Sequence, residues 1–145
     1  MPAPAGYLVA LRTALVAKLN ADPYFASLVP QGVTYRPTRA PVDLPAVVFR
    51  DSGVRADNVV PLHDRALYFD VFAVDLDPCE ALATIVNGLL DNQALALPGD
   101  QAQVAYMSLR GDEDQADYDA DVVRKMLTYR LLVYDFSGPD PWKAP

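Results

Sequence analysis

The residues of this 145-residue chain whose types could do chemistry are few: one histidine, one cysteine and a run of acids. His63, between Leu62 and Asp64, could act as a general base beside a carboxylate. No nucleophile motif accompanies it, so it reads as a surface-loop histidine. Cys79 falls in the first turn of a predicted helix, where the backbone dipole can stabilise a thiolate. Its spacing also sets it on an apolar stripe with Leu82 and Val86, and a core thiol is the better reading. The run 111–121 holds six acids in eleven residues, with Asp117, Asp119 and Asp121 alternating like the start of a calcium loop. Such a loop needs glycine five positions after the first ligand and glutamate eleven after it. Val122 and Thr128 stand there instead, so the run reads as a solvated, self-repelling hairpin loop. The seven glycines are scattered and form no phosphate-binding pattern. These residues predict no catalysis, no cofactor and no tightly held metal.

Composition narrows the class. Hydrophobic residues make up 52% and charged residues 21%, which excludes disorder as the main state. One cysteine cannot make an internal disulfide, and one histidine excludes schemes that need two. Apolar runs fall short of the roughly 18 residues of a membrane span, and the start has no basic region of a signal peptide. The expected setting is therefore a reduced cytoplasm. A net charge of −7 argues against a nucleic-acid reader, which needs a basic face. The charge is uneven along the chain. Residues 1–60 carry six bases against four acids, net +2, and residues 61–145 carry six against fifteen, net −9. A molecule so divided can stack or ring-pair by matching opposite charge.

The elements that must position these residues follow from periodicity. Leu8, Leu11, Leu15 and Leu19 predict a helix over 7–20, ended by Asp22-Pro23. One more turn is expected over 24–29. Strands are predicted at 33–35 and 45–51, followed by a long polar loop to residue 64. The strongest strand is 65–75, with Leu67, Phe69, Val71 and Ala73 on one face and Tyr68, Asp70 and Phe72 on the other. A strand apolar on both faces is central, or is covered on its second face by a neighbouring subunit. Asp77 as N-cap, Pro78 at the first helical position and Glu80 predict a helix over 78–90. Two strands at 103–110 and 122–135 close the domain, joined by the acidic loop. The expected architecture is α+β, a two-layer sandwich in which a mixed or antiparallel sheet of four to five strands packs on two amphipathic helices. Residues 1–136 form one domain and 137–145 a proline-rich tail.

The order of these segments resembles the tail terminator, or tail completion, proteins of long-tailed bacteriophages and related head-tail joining proteins. The resemblance spans roughly residues 5–136. It rests on the first helix, Val33-Thr34-Tyr35-Arg36-Pro37, Leu44-Pro45-Ala46-Val47-Val48-Phe49, and Arg65 leading into Phe69-Asp70-Val71-Phe72-Ala73. The helix 78–90 and the strand Arg124 to Tyr134 complete it. The acidic run and the segment Gly138-Pro139-Asp140-Pro141-Trp142 depart from the family pattern. The resemblance implies a non-enzymatic virion protein, made in the host cytoplasm, whose homohexameric ring caps the head-proximal end of the tail tube. That ring would stop tube polymerisation, offer a surface to neck proteins, and let DNA pass without sequence-specific binding. Another neck component, such as a head-closure protein, is the alternative; a small cytoplasmic ligand-binding domain is a further one. Ring contacts are expected to bury Tyr68 and Phe72. The loop 51–64, with Arg55, Asp57 and Asp64, and the acids Asp112, Asp114, Asp117 and Asp119 are expected to reach a neighbouring subunit, the tube or the neck.

Overall fold

The computed structural model describes residues 7–35, 43–51, 62–97, 102–117 and 122–135, apart from the side chains of Leu62, Gln115–Asp117 and Asp135. Arg55, Asp57, Asp119 and the 137–145 segment lie outside the described residues. The elements are α1 (Tyr7–Asn20), α2 (Pro23–Leu28), β1 (Thr34–Tyr35), β2 (Ala46–Asp51), β3 (Leu62–Ala73), α3 (Leu76–Leu90), β4 (Leu95–Ala96), β5 (Ala102–Asp117) and β6 (Val122–Asp135). One six-stranded sheet runs β1-β2-β3-β6-β5-β4, parallel only between β1 and β2. The α+β reading holds. The expected four to five strands become six because the two-residue β4, too short for any periodicity, pairs with β5 at Leu95↔Val104.

Helix α1 forms where leucines recur every three to four residues, and Leu8, Leu11, Leu15 and Leu19 are all buried. Asp22 does more than end it. Its carboxylate accepts the Phe25 N–H at 2.9 Å, and Pro23 opens α2, so the pair that stops one helix starts the next. Gly32 follows with φ +78; a Cβ there would lie 2.9 Å from the Asn20 amide, whose oxygen accepts the Val33 N–H.

Three boundaries differ from expectation. The N-cap position of helix α3 is Asp75, not Asp77, because a proline fits anywhere in the first turn, where N–H groups have no partner in the helix. Strand β3 begins at 62 rather than 65 and ends at 73, since β6 continues to Tyr134 and draws Leu62 to Asp64 into the ladder. His63 is therefore a buried strand residue, not a surface-loop one. Strand β5 runs to 117, so Asp112, Glu113, Asp114 and Asp117 belong to a strand and not to a loop. Lys125 on β6 neutralises part of that charge, 3.2 Å from Asp112 and 3.3 Å from Asp114. Cross-strand pairing has overridden the local preference of acids for turns.

All three helices cover one face of the sheet. Their buried stripes meet Val47, Phe49, Leu67, Phe69, Val71, Leu127, Tyr129, Leu131 and Val133 in one cluster. An aromatic row crosses it. Tyr35 tilts on Phe49 at 5.2 Å, Phe49 stacks on Phe69 at 5.2 Å, and Phe69 meets Tyr129 edge-on at 6.0 Å. Such pairs add about 0.5–1.5 kcal/mol each beyond burial, and truncating a buried Phe costs about 3–5 kcal/mol. Cys79 lies in this core as expected, with Sγ 3.4 Å from the Val71 carbonyl, and burial pushes its thiol pKa up.

Tyr129 sits at the base of α3 and donates to Asn87 Oδ1 at 2.9 Å. Burial first, then the charges of Asp91 and Asp112, push its phenol well above its ordinary value of 10.0. The unfolded chain releases this proton near the ordinary value while the folded chain keeps it. Stability is therefore intact below that pH and declines as pH rises beyond it. Lys125 acts in the same direction. Burial draws its pKa down, but hydrogen bonds to Asp112 and Asp114 more than offset this. Tyr129→Phe is expected to cost about 1 kcal/mol at pH 8 and to flatten the decline at alkaline pH. Urea unfolding from pH 8 to 11 reads both; identical alkaline slopes in the two proteins would contradict the assignment.

Candidate interaction surface

With the helices on one side, the other face of the sheet has no covering element among the described residues. Its side chains come from alternate positions: Val48 and Arg50 on β2, Asp64 to Phe72 on β3, and Arg124 to Tyr134 on β6. Tyr106, Ser108 and Glu113 follow on β5. Tyr68 and Phe72 are half-buried here, and Tyr106 and Tyr134 are each 41% exposed. Arginines lie over the rings. The Arg50 guanidinium sits 4.3 Å from the Tyr68 centroid, and that of Arg124 sits 5.7 Å from Phe72. Arg124 also donates twice to Asp70 Oδ1, at 2.8 and 3.0 Å. Arg130 grips both oxygens of Asp64. The exposed Arg130–Asp64 pair orders the side chains more than it holds the fold, whereas Asp70 is buried under its arginine.

One depression interrupts the face. Where Ala66, Thr128 and Gly111 bring small side chains side by side, a cavity of about 450 Å³ opens, walled by Arg110, Arg130 and Asp64. Arg110 projects from a bulge between Leu109 and Gly111 and is exposed. Aromatic and arginine side chains around a shallow pit are the composition enriched at protein–protein contacts.

The structure divides the residues singled out from sequence. Asp64, Tyr68 and Phe72 share this outer face. Asp112 and Asp114 lie on the opposite, helix-bearing side beside Lys125, and Asp112 lines a groove there with Glu80, Thr84 and Asn87. Asp117 ends β5. The two groups of candidates therefore do not form one site. Among the described residues no cluster of three or more His, Cys, Asp or Glu could hold a metal ion. No helix among the described residues is long and apolar enough to cross a membrane.

Two polar groups, His63 and Arg65, are buried where the sequence reading expected neither in the core. His63 Nδ1 is 3.0 Å from the Tyr7 hydroxyl, and its Nε2 has no hydrogen-bond partner among the described residues. Arg65, two residues on and 2% exposed, has none there on any of its three guanidinium nitrogens. The signal was present: extending the Leu67, Phe69, Val71 parity backwards puts both residues on the core face. The outer arginines carried no such signal, because Arg50, Arg110, Arg124 and Arg130 come together only through the register.

A family model described as "Tail completion protein gp17" matches residues 13–134. No curated protein matches the chain in sequence. Among solved structures, a chain of the "Virion of native gene transfer agent (GTA) particle" superposes with a TM-score of 0.73 at 20% identity. That match covers 90% of this chain and 98% of the other. A second solved chain gives a TM-score of 0.52 at 13% identity, covering 91% and 94%. At such identities the two structures share the fold.

A buried guanidinium without a partner opposes folding, because its hydration is lost and nothing replaces it. Arg65→Met keeps most of the apolar stem and removes the charge. It is expected to stabilise the isolated chain by about 1–3 kcal/mol, or a few degrees in Tm. Thermal and urea unfolding of both proteins measure it. A destabilised Arg65→Met would mean that the guanidinium is satisfied in the folded chain.

Proposed function

This chain belongs to the Tail completion protein gp17 family, and on that premise we propose that it is the terminator of a phage tail. Copies assemble as a ring, with six the expected number, on the head-proximal end of the tail tube. The ring stops addition of tube protein and offers the neck proteins a docking surface. It is assembled in the host cytoplasm and stays in the virion tail. Family and structural neighbour both point to a structural virion protein, and the terminator role is the finer step taken here.

The observation that carries the reading is a sheet face that none of the described elements covers. A lone domain leaves Tyr68, Phe72, Met126 and Leu132 only half-buried and Tyr106 and Tyr134 exposed, side by side on one surface. Soluble monomers rarely present contiguous apolar surface of that kind unless something binds it. Tyr68 and Phe72 keep their proposed place in subunit contacts. Asp112 and Asp114, on the other side, suit contact with the tube or neck, and Arg55, Asp57, Asp64, Asp117 and Asp119 are proposed to steer docking. The net charge of −7 suits a ring that DNA traverses without being held. No step of this role requires catalysis or a cofactor.

Electron microscopy of tails assembled with and without the protein is the direct test. Without it, tubes are expected to overrun their normal length and to remain unattached to heads. Tubes of normal length that join heads in its absence would exclude the terminator role.

A further inference from the structure

The turn from β3 into α3 is an exposed corner of unusual make-up. Val74 is 60% and Leu76 47% exposed, and Asp75, Asp77 and Glu80 flank them on the same turn. Asp75 holds the N-cap position of α3 yet makes no side-chain cap bond, whereas Asp22 caps α2 with its carboxylate. The corner thus offers two apolar side chains among three acids, and none of those carboxylates has a basic partner among the described residues.

The complementary surface is the depression on the outer face. One row across the sheet runs Arg50, Tyr68, Thr128 and Gly111, with Arg110 bulging beside the last. At about 4.8 Å per strand the row places the two arginines' strands about 15 Å apart. The Arg50 guanidinium lies over the Tyr68 ring. Neither Arg50 nor Arg110 has a carboxylate partner among the described residues, while Arg124 and Arg130 do. Between them lies the pit floored by Ala66 and Thr128.

Resting on the terminator reading, we propose that the Val74–Glu80 corner of one copy seats in the outer-face depression of a second copy. Leu76 lies over Ala66 and Thr128, and the corner acids meet Arg50 and Arg110. The corner cannot reach its own depression: it follows Ala73, seven residues and about 23 Å along β3 from Ala66. The contact is therefore heterologous, head to tail, the kind that closes into a ring when the rotation allows.

Charge exchange tests it. Arg110→Glu reverses the depression and Asp77→Lys reverses the corner, both at exposed positions. Sedimentation across a concentration series is expected to show self-association shifted at least tenfold to higher concentration for either variant. An equimolar mixture of the two should recover it, since each reversed surface meets a reversed partner. Leu76→Ser, which changes no charge, should weaken association similarly and covers a reversal that perturbs folding. Either reversed variant associating like the wild type, or a mixture that recovers nothing, overturns the proposal. So does a wild-type chain that binds tubes through Arg110 without binding itself, which would give the depression to the tube protein. The terminator reading is judged separately by tail length in the absence of the protein. An Arg110→Glu chain that associates and caps normally removes this contact and leaves that role standing.

Discussion

Strand β3 lies between two antiparallel neighbours, and side chains that alternate with a period of two leave it no freedom of register. Phe69 opposite Phe49 places Leu67, Phe69 and Val71 under the helices. The same register sends Tyr68, Asp70 and Phe72 to the other side. A slip of one residue would exchange these sets, bringing Asp70 and its ion pair beneath α3 and the core leucine and phenylalanine into water. The aromatic row from Tyr35 to Tyr129 locks the choice, because each ring spans from one strand to the next. The helix layer and the aromatic–arginine face are thus two readings of one pairing.

Charge is distributed by the same rule. On the outer face three of the four arginines have an ordering contact, a ring for Arg50, a carboxylate for Arg130, and both for Arg124. Inside, Arg12 bridges α1 to the buried Asp51 at 3.0 Å and lies 4.2 Å from the Tyr35 ring, tying the first helix to the end of β2. Arg65 is the exception, a cation in the core with no hydrogen-bond partner among the described residues. Stability alone does not favour such a residue at that position.

Much of the architecture was legible because it rests on strong local periodicity. The leucines of α1, the stripe of α3 and the alternation of β3 each repeat often enough to specify element and face. What escaped depended on partners distant in sequence. His63 and Asp64 look like loop residues until β6 pairs with them, and the acids of β5 look like a solvated turn until Lys125 stands beside them. The linear split into a basic first half and an acidic second half did not carry into space. Arg110, Arg124 and Arg130 from the acidic half join Arg50 from the basic half on one face. Tyr68 and Phe72 were found from sequence because alternation alone opposes them to the core set; the pit beside them was not, since it is made by small residues on three strands.

The length of β5 has a consequence for how copies can meet. Strand β4 covers it only at Gln103 and Val104, and the turn before β4 adds bonds to Met107 and Leu109. Beyond Arg110 the described residues leave its outer backbone N–H and C=O groups unpaired, which is the open sheet edge that invites unlimited strand-on-strand growth. Here that edge is interrupted by the bulge at Arg110 and carries Asp112, Glu113 and Asp114 in succession. Two such edges laid together would bring like charges within about 5 Å on both faces. The acids therefore oppose strand-on-strand growth, the hazard of any open sheet edge. In the proposed ring, copies kept from zipping by backbone would meet through side chains, and side-chain contacts can be counted, oriented and closed.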